Sequence, residues 1–281
     1  MIRLDSYFQR IGYAGPRTPT LDVLQSLCML HSASIVFENI DPLLGTPPQL
    51  AVPALQTKLL EHGRGGYCYE QNLLLKNVLL SLGMQVSGLA ARVVWMQPPG
   101  APVRARSHML LKVDLPGTEG SPFIADVGFG GQRINLPLRR EPDLGQPSSD
   151  GALRVNREGE VFTIETQLPA GWVPMYSFTL EPLLDVDYEP LNWFTATHPG
   201  SIFRHNLLME RLTPQLRTSL FNDRLVRRRA GQAPSVRRID TLADFEAVLI
   251  EQFELHLPAA LVAPLFERVP KGLDQFVLPL A

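Results

Sequence analysis

Two cysteines among 281 residues, Cys28 and Cys68, are too few for a disulfide framework or a cysteine-rich zinc site. An excess of one charge is also missing: 26 Lys and Arg against 28 Asp and Glu leave a formal net charge of −2, so no basic field recruits nucleic acid. There is no apolar run long enough to span a bilayer and no charged n-region leading into an apolar h-region, so neither a membrane anchor nor a secretory signal is expected. The 6 histidines form no H-E-x-x-H or related grouping, which leaves no metal indicated. Internal repeats and low-complexity segments are absent as well. The expectation is a cytoplasmic protein with both thiols free and small molecules as partners, without nucleic acid or membrane.

What is there is ordinary for a globular chain able to bury a sizeable core, with 45% hydrophobic and 19% charged residues and length for two or three domains. To about residue 85 the pattern is helical. LDVLQSLCMLHSASI from Leu21, VPALQTKLL from Val52 and NLLLKNVLLSLG from Asn72 place leucines at helical spacing, with Gly83 as a stop. Frequent prolines keep these helices short. From about residue 86, VSGLAARVVWM, SHMLLKVDL, FIADVGFG, VNREGEVFTIETQ and GWVPMYSFTL are short β-branched or alternating runs separated by turn residues, with a hairpin at Glu158-Gly159. A β-barrel or curled antiparallel sheet fits them best. Pro142 to Gly151 reads as a mobile loop. The last part reads as strand hairpins followed by a helix capped by Thr241, with Phe245, Val248, Leu249 and Phe253 as its buried face.

The stretch RGGYCYEQN from Arg64 puts Cys68 after a Gly-Gly turn at the start of an apolar periodic run, so the cysteine looks presented, not buried. A thiolate at the first turn of a helix is stabilised by unpaired N–H donors and the positive end of the backbone dipole. On its own a free cysteine is more often a small core hydrophobe. A cysteine nucleophile acting on an acyl group needs a base and an acceptor that orients the base, and His108 and Asp126 are the candidates. Strand alternation points His108, Leu110 and Lys112 to one face and Met109, Leu111 and Val113 to the other. Asp126 follows the apolar run FIA, where an unpaired carboxylate is costly and a partner is expected. Taken singly, a strand histidine and a turn-forming aspartate are the simpler readings, but together with Cys68 the three supply nucleophile, base and orienter.

Other signals are weaker. GFGG from Gly128 lacks a full G-x-G-x-x-G and a following helix, and reads first as a tight turn. Arg227, Arg228, Arg229, Arg237 and Arg238 can hold a phosphorylated ligand, but arginines on an exposed hairpin are more often a solvated strand face. Phe37, Tyr67, Tyr69, Trp95, Phe129 and Phe203 are candidates for a cleft wall, and equally for core.

With these residues in view, the chain resembles the arylamine N-acetyltransferases. RGGYCYEQN is similar to that family's cysteine motif, ARSHMLLKV to its histidine segment and FIADVGFGG to its aspartate segment. YFQRIGYAGPRTPTLDVLQSL, SIVFENIDPLLG and NWFTATHPGSIFRHNL are similar to further family segments. Val36 and Ser107 depart from the family's usual proline and threonine without touching the chemistry.

The resemblance implies an α+β fold with a cysteine-protease-like core: a helical bundle over residues 1–85 carrying Cys68, a β-barrel over 86–190 carrying His108 and Asp126, and an interdomain segment with an α/β lid over 191–281. It implies acetyl transfer from acetyl-CoA, a co-substrate and not a resident cofactor, to the nitrogen of arylamines, arylhydrazines or arylhydroxylamines by a ping-pong route. Cys68 would carry the acetyl group, His108 would move its proton and Asp126 would orient His108. Phe37, Val93, Trp95, Phe129 and Phe203 would line the acceptor pocket with Tyr69 beside them, Gly128, Phe129 and Gly130 would meet the cofactor, and Arg64 would form a structural ion pair. A cysteine-dependent hydrolase or amide synthase would use the same three residues, and a binding module with an inert triad is a third reading.

Overall fold

The structure, a computed structural model, describes residues 1–98, 100–118, 120–130, 134–148, 151–229 and 231–272. Helices dominate the first part: α1 (Leu4–Ile11), α2 (Leu21–Ser34), a two-residue strand β1 (Phe37–Glu38), α3 (Ile40–Leu43), α4 (Val52–Leu55) running into a π-helical turn over Gln56–Glu61, and α5 (Cys68–Ser81). α2 begins where Thr20 caps it, its hydroxyl accepting from the Val23 amide at 3.5 Å. Beyond α5, Gly83 takes φ +85°, and its amide bonds to the Leu80 carbonyl at 3.0 Å, as the glycine stop implies. α5 starts one turn earlier than leucine spacing alone indicates, because polar Glu70, Gln71 and Asn72 belong to the helix and are buried with it. α1, which buries Tyr7, Phe8 and Ile11, is too short to stand out in the sequence.

The middle of the chain forms β2 (Gln85–Val93), β3 (His108–Asp114), β4 (Phe123–Ala125), β5 (Leu138–Arg139), β6 (Gln146–Ser148), β7 (Gly151–Glu158), β8 (Val161–Leu168) and β9 (Gly171–Phe178). They make one 8-stranded antiparallel sheet in the order β5-β4-β3-β2-β9-β8-β7-β6. The ends of the sheet curl together. Pro142 bridges Val155, and the Gln146 side-chain amide meets both the amide and the carbonyl of Arg139, at 2.7 and 2.9 Å. The stretch expected to be a loop from Pro142 thus supplies β6 and this closure, with Ser149 and Asp150 outside the described residues. β3 has the expected alternation: Met109, Leu111 and Val113 join the helical core, while Leu110 joins the barrel interior. Lys112 reaches solvent and pairs with Asp114 at 2.7 Å.

A 3₁₀ turn at Asp185–Asp187 leads to α6 (Tyr188–Thr197), α7 (Ile202–His205), β10 (Leu208–Leu212), β11 (Arg217–Phe221), β12 (Arg224–Arg228), β13 (Ser235–Arg238), α8 (Leu242–Phe253) and α9 (Ala259–Arg268). Thr241 caps α8 through the Asp244 amide at 3.2 Å, and the four residues read as its buried face are the buried ones. β1 is the edge of the lid sheet, in the order β1-β10-β11-β12-β13, with Phe37 opposite Glu210. The N-terminal segment is therefore stitched into the C-terminal one beside the candidate site. On the basic hairpin, Arg237 pairs with Asp244 at 2.6 Å and Arg238 with Asp223 at 2.9 Å; Arg229 and Arg237 are exposed, while Arg227, Arg228 and Arg238 are half-buried, so the hairpin is solvated only in part. Among the described residues no helix is long and apolar enough to cross a membrane, and no cluster of His, Cys, Asp and Glu could hold a metal ion.

Candidate active site

Cys68 is the first residue of α5, and the expectation that it is exposed needs correction: it is 3% exposed, roofed by the barrel. Presentation here comes from position at the helix start, not from exposure. Two anchors fix that start. The Glu70 side chain reaches back to accept from the Tyr67 amide at 3.1 Å. The Gln71 amide donates to the carbonyls of Val36 at 3.0 Å and Gly66 at 2.9 Å, tying the Gly-Gly turn to the neighbouring strand segment. Arg64, at the head of the turn, pairs with Glu38 at 2.7 Å and Asp41 at 2.8 Å, the structural ion pair its place implied.

β3 brings His108, its first residue, over the thiol. Its Nε2 meets Asp126 Oδ2 at 2.7 Å, leaving Nδ1 for the Cys68 side chain, with which the ring interacts. Cys68 Sγ also lies 3.9 Å from the Ser107 carbonyl oxygen. Asp126 sits just past β4, 1% exposed, and each of its oxygens has two donors. Oδ2 takes His108 and the Tyr176 hydroxyl at 2.8 Å, and Oδ1 takes Asn72 Nδ2 at 3.0 Å and the Gly128 amide at 2.9 Å. A buried carboxylate so satisfied stays ionised. Burial works to raise its pKa, but the charge and hydrogen bond of His108, with the Asn72 and Gly128 donors, hold it below the usual carboxylate range. For His108, burial disfavours the imidazolium, yet Asp126 and then the Cys68 thiol outweigh that and push the ring up to about 10. A protonated imidazole beside a thiol is the arrangement that favours a thiolate.

Cys28 is the contrast. It is buried in the helical core, and burial pushes its thiol up to about 12.

Around His108 the structure gathers aromatic rings. Phe129 meets it edge-on at 5.1 Å, and Tyr176 lies 4.8 Å away on β9. Val93 and Trp95 pack against the same barrel cluster as Phe129 and Tyr176. Phe37 and Phe203 lie 6.3 Å apart, Phe37 in the helical core cluster that also contains Cys68 and Phe203 packed against it, with Phe203 edge-on to Tyr67 at 5.7 Å. Tyr69 is joined to Phe203 through Tyr67. Its ring packs against Tyr67 at 5.4 Å and Tyr188 at 6.0 Å in the bundle core, and its hydroxyl meets Thr195 at 3.3 Å.

Gly128 and Gly130 have a structural reason to be glycine. A Cβ on Gly128 would lie 2.6 Å from the Cys68 Cα and 2.7 Å from Asn72 Nδ2, and one on Gly130 would strike the Phe37 ring. The turn after Asp126 is thus pressed directly onto the nucleophile. Gly131, the last residue of GFGG, lies outside the described residues.

Sequence reasoning assigned no role to Asn72 or Tyr176. Asn72 follows Cys68 by one helical turn, and it also donates to the Met109 carbonyl at 2.8 Å and accepts from the Val127 amide at 3.2 Å. Its signal was a polar residue interrupting the apolar face of a helix. Tyr176 gave none, being one more aromatic in a barrel strand.

Comparisons with known proteins identify the family. A family model described as N-acetyltransferase matches residues 20–262. The arylamine N-acetyltransferase of Mycobacterium bovis is 40% identical over 255 residues, covering 90% of this chain and 89% of that one. The crystal structure of the Mycobacterium smegmatis N-arylamine acetyltransferase superposes with a TM-score of 0.90 at 38% identity, over 97% of this chain and 100% of the other. That of the Mycobacterium marinum enzyme in complex with CoA gives 0.86 at 37% identity, over 95% and 96%. The chain belongs to the arylamine N-acetyltransferase family.

Proposed function

We propose that the protein transfers an acetyl group from acetyl-CoA to the nitrogen of arylamines, arylhydrazines or arylhydroxylamines by a ping-pong route through acetyl-Cys68. The observation that carries this is the Cys68, His108 and Asp126 arrangement: a thiol at a helix start under an imidazole that a buried carboxylate holds charged, with Nε2 to Oδ2 at 2.7 Å. In the first half-reaction the thiolate attacks the thioester carbonyl. The developing oxyanion is stabilised by N–H donors, of which the Cys68 amide is one that no intrahelical carbonyl can satisfy. The tetrahedral intermediate collapses, the C–S bond to coenzyme A breaks, and His108 returns a proton to the departing thiolate. One thioester replaces another, so the step is nearly balanced. In the second half-reaction the amine attacks, neutral His108 accepts its proton, and Cys68 leaves as thiolate.

The acceptor ring is held by Phe37, Phe129, Phe203, Trp95 and Val93, whose surfaces suit stacking on an aromatic plane and would place its nitrogen near the carbonyl. The pantetheine arm would pass along Gly128, Phe129 and Gly130, a turn whose backbone abuts the nucleophile. Relatives named arylamine N-acetyltransferase, and a family structure solved with CoA, support both substrates.

The test separates the half-reactions. Protein incubated with acetyl-CoA alone should release stoichiometric free thiol and carry acetyl on the Cys68 peptide by mass spectrometry; adding an arylamine should discharge it. Product formation with no acetyl ever found on Cys68 would overturn the ping-pong route. Cys68→Ser should lose transfer almost completely, since an alcohol is far less ionised than a thiol.

A further inference from the structure

Behind the nucleophile lies a chain of charges that the reaction itself does not use. Glu38 on β1 pairs with Arg64 at 2.7 Å, Arg64 with Asp41 of α3 at 2.8 Å, Asp41 with Lys58 of the π-helical turn at 2.6 Å, and Lys58 with Glu70 of α5 at 2.6 Å. Signs alternate along the chain, with a carboxylate at each end. The Glu38 end is tied down, its second oxygen accepting from the Ile40 amide at 2.8 Å. The Glu70 end closes on the active site. Its second oxygen accepts from the Tyr67 amide at 3.1 Å, the residue immediately before Cys68, and it lies so close over Gly66 that a Cβ there would sit 2.7 Å away.

We propose that Glu70 is a positioning residue for acyl transfer: its ionised carboxylate, held between Lys58 and the Tyr67 amide, fixes the helix turn that aims Cys68 at His108, and loss of its charge slackens that turn and slows the thiol. The proposal rests on the acetyl-transfer reading of the site and adds a group that touches no substrate.

The charge of Glu70 is held in balance. Burial is the largest influence and disfavours the carboxylate; Lys58 favours it by charge and hydrogen bond; Glu38 and Asp41 oppose it. The result pushes Glu70 up to about 7. Arg64 neutralises Glu38 and Asp41 in turn, and Lys58 is driven further into its charged form. A capping carboxylate that takes a proton exchanges an ion pair for a neutral contact at the fully buried Glu70 end and leaves the half-buried Lys58 ammonium with Asp41 as its remaining carboxylate partner.

The experiment measures alkylation of Cys68 by iodoacetamide from pH 5.5 to 9 without substrates, with Cys28 as the unreactive internal control and far-UV circular dichroism and thermal melting as folding controls. The wild type should lose about tenfold in rate from pH 8 to pH 6, with an inflection near the point where Glu70 takes up its proton. Glu70→Gln keeps an acceptor for the Tyr67 amide but not the charge, and it should lose that inflection and sit near the wild-type acid-limb rate throughout. Lys58→Met keeps the carboxylate but removes its cation, so the inflection should move to higher pH; this variant also carries the test if Glu70→Gln fails to fold. An inflection at the same pH in all the proteins that fold would overturn the proposal, because a purely structural contact changes rate without moving it. Alkylation does not depend on acetyl-CoA, so a protein that shows the shift yet transfers no acetyl would refute the functional reading and leave this one standing.

Discussion

The Tyr176 hydroxyl lies 2.8 Å from Asp126 Oδ2, the same oxygen that His108 Nε2 meets at 2.7 Å. The phenol therefore shares that oxygen with the imidazole, one donor to each lone pair, and draws off part of the charge that keeps His108 protonated. Tyr176→Phe leaves the ring packing around His108 and Phe129 in place but returns that charge to the imidazole. The His108 proton should then leave at higher pH, so the alkaline limb of the pH–rate profile should move up. Stability should fall by about 1.5–3 kcal/mol, the range for a hydrogen bond to a charged group. An alkaline limb that moves down would contradict this division of charge.

Asn72 joins three segments through one amide group: it donates to Asp126 Oδ1 and the Met109 carbonyl and accepts from the Val127 amide. Asn72→Ala removes three buried hydrogen bonds at once, at roughly 0.5–1.5 kcal/mol for each bond lost. Chemical denaturation should show this as a lower midpoint with an unchanged slope. Activity should fall through kcat more than through KM, because the substrate walls are untouched while the Asp126 carboxylate loses one of its donors.

These residues show where the sequence was readable and where it was not. Thr241, Gly83 and the alternation through β3 act locally, through a cap, a positive φ and a pleat, and each could be read within a few positions. The order of bundle, barrel and lid followed from the change of periodicity near residue 86. Pairing of β1 with β10, which carries Phe37 into the lid sheet, joins residues far apart in the chain and left no local trace. Cys68 was expected at the surface because its glycine turn looks like a loop; the barrel turn at Gly128 covers it, and nothing in RGGYCYEQN encodes that cover. Tyr176 and Lys58 act through partners on other elements, so their part in the site appeared only with the fold.

Gly128 and Gly130 separate a packing role from a cofactor role. Gly128→Ala forces a methyl toward the Cys68 Cα and Asn72 Nδ2, neither able to retreat without moving α5. Overpacking of this kind costs about 1–3 kcal/mol. Alkylation of Cys68 without any coenzyme present should slow about tenfold or more, as expected when a reacting group is displaced from its alignment. Gly130→Ala meets instead the Phe37 side chain, and should change the KM for bulky acceptors while leaving alkylation near wild type. If Gly128→Ala alkylates normally and only the KM for acetyl-CoA rises, the glycine serves the coenzyme and not the nucleophile.

The His108 and Asp126 pair also ties stability to pH with a definite sign. His108 is pushed from 6.5 up to about 10 in the folded protein, first against burial and then by Asp126 and Cys68, so the folded state binds this proton more tightly than the unfolded chain does. Its contribution to stability is fully present below pH 6.5 and is lost as pH rises through about 10. Melting temperature should therefore decline steadily between pH 7 and pH 10. His108→Gln, which cannot titrate, should be less stable at pH 7 yet lose less on going to pH 10, so that the two melting curves converge with rising pH. Asp126 carries the opposite sign: held below 3.8, it contributes stability that disappears as pH falls through its folded value, so Asp126→Asn should flatten the acid side instead. Parallel curves for wild type and His108→Gln across the alkaline range would mean that the ring is neutral in the resting protein, and the charged His108 held by Asp126 would have to be abandoned as its resting state.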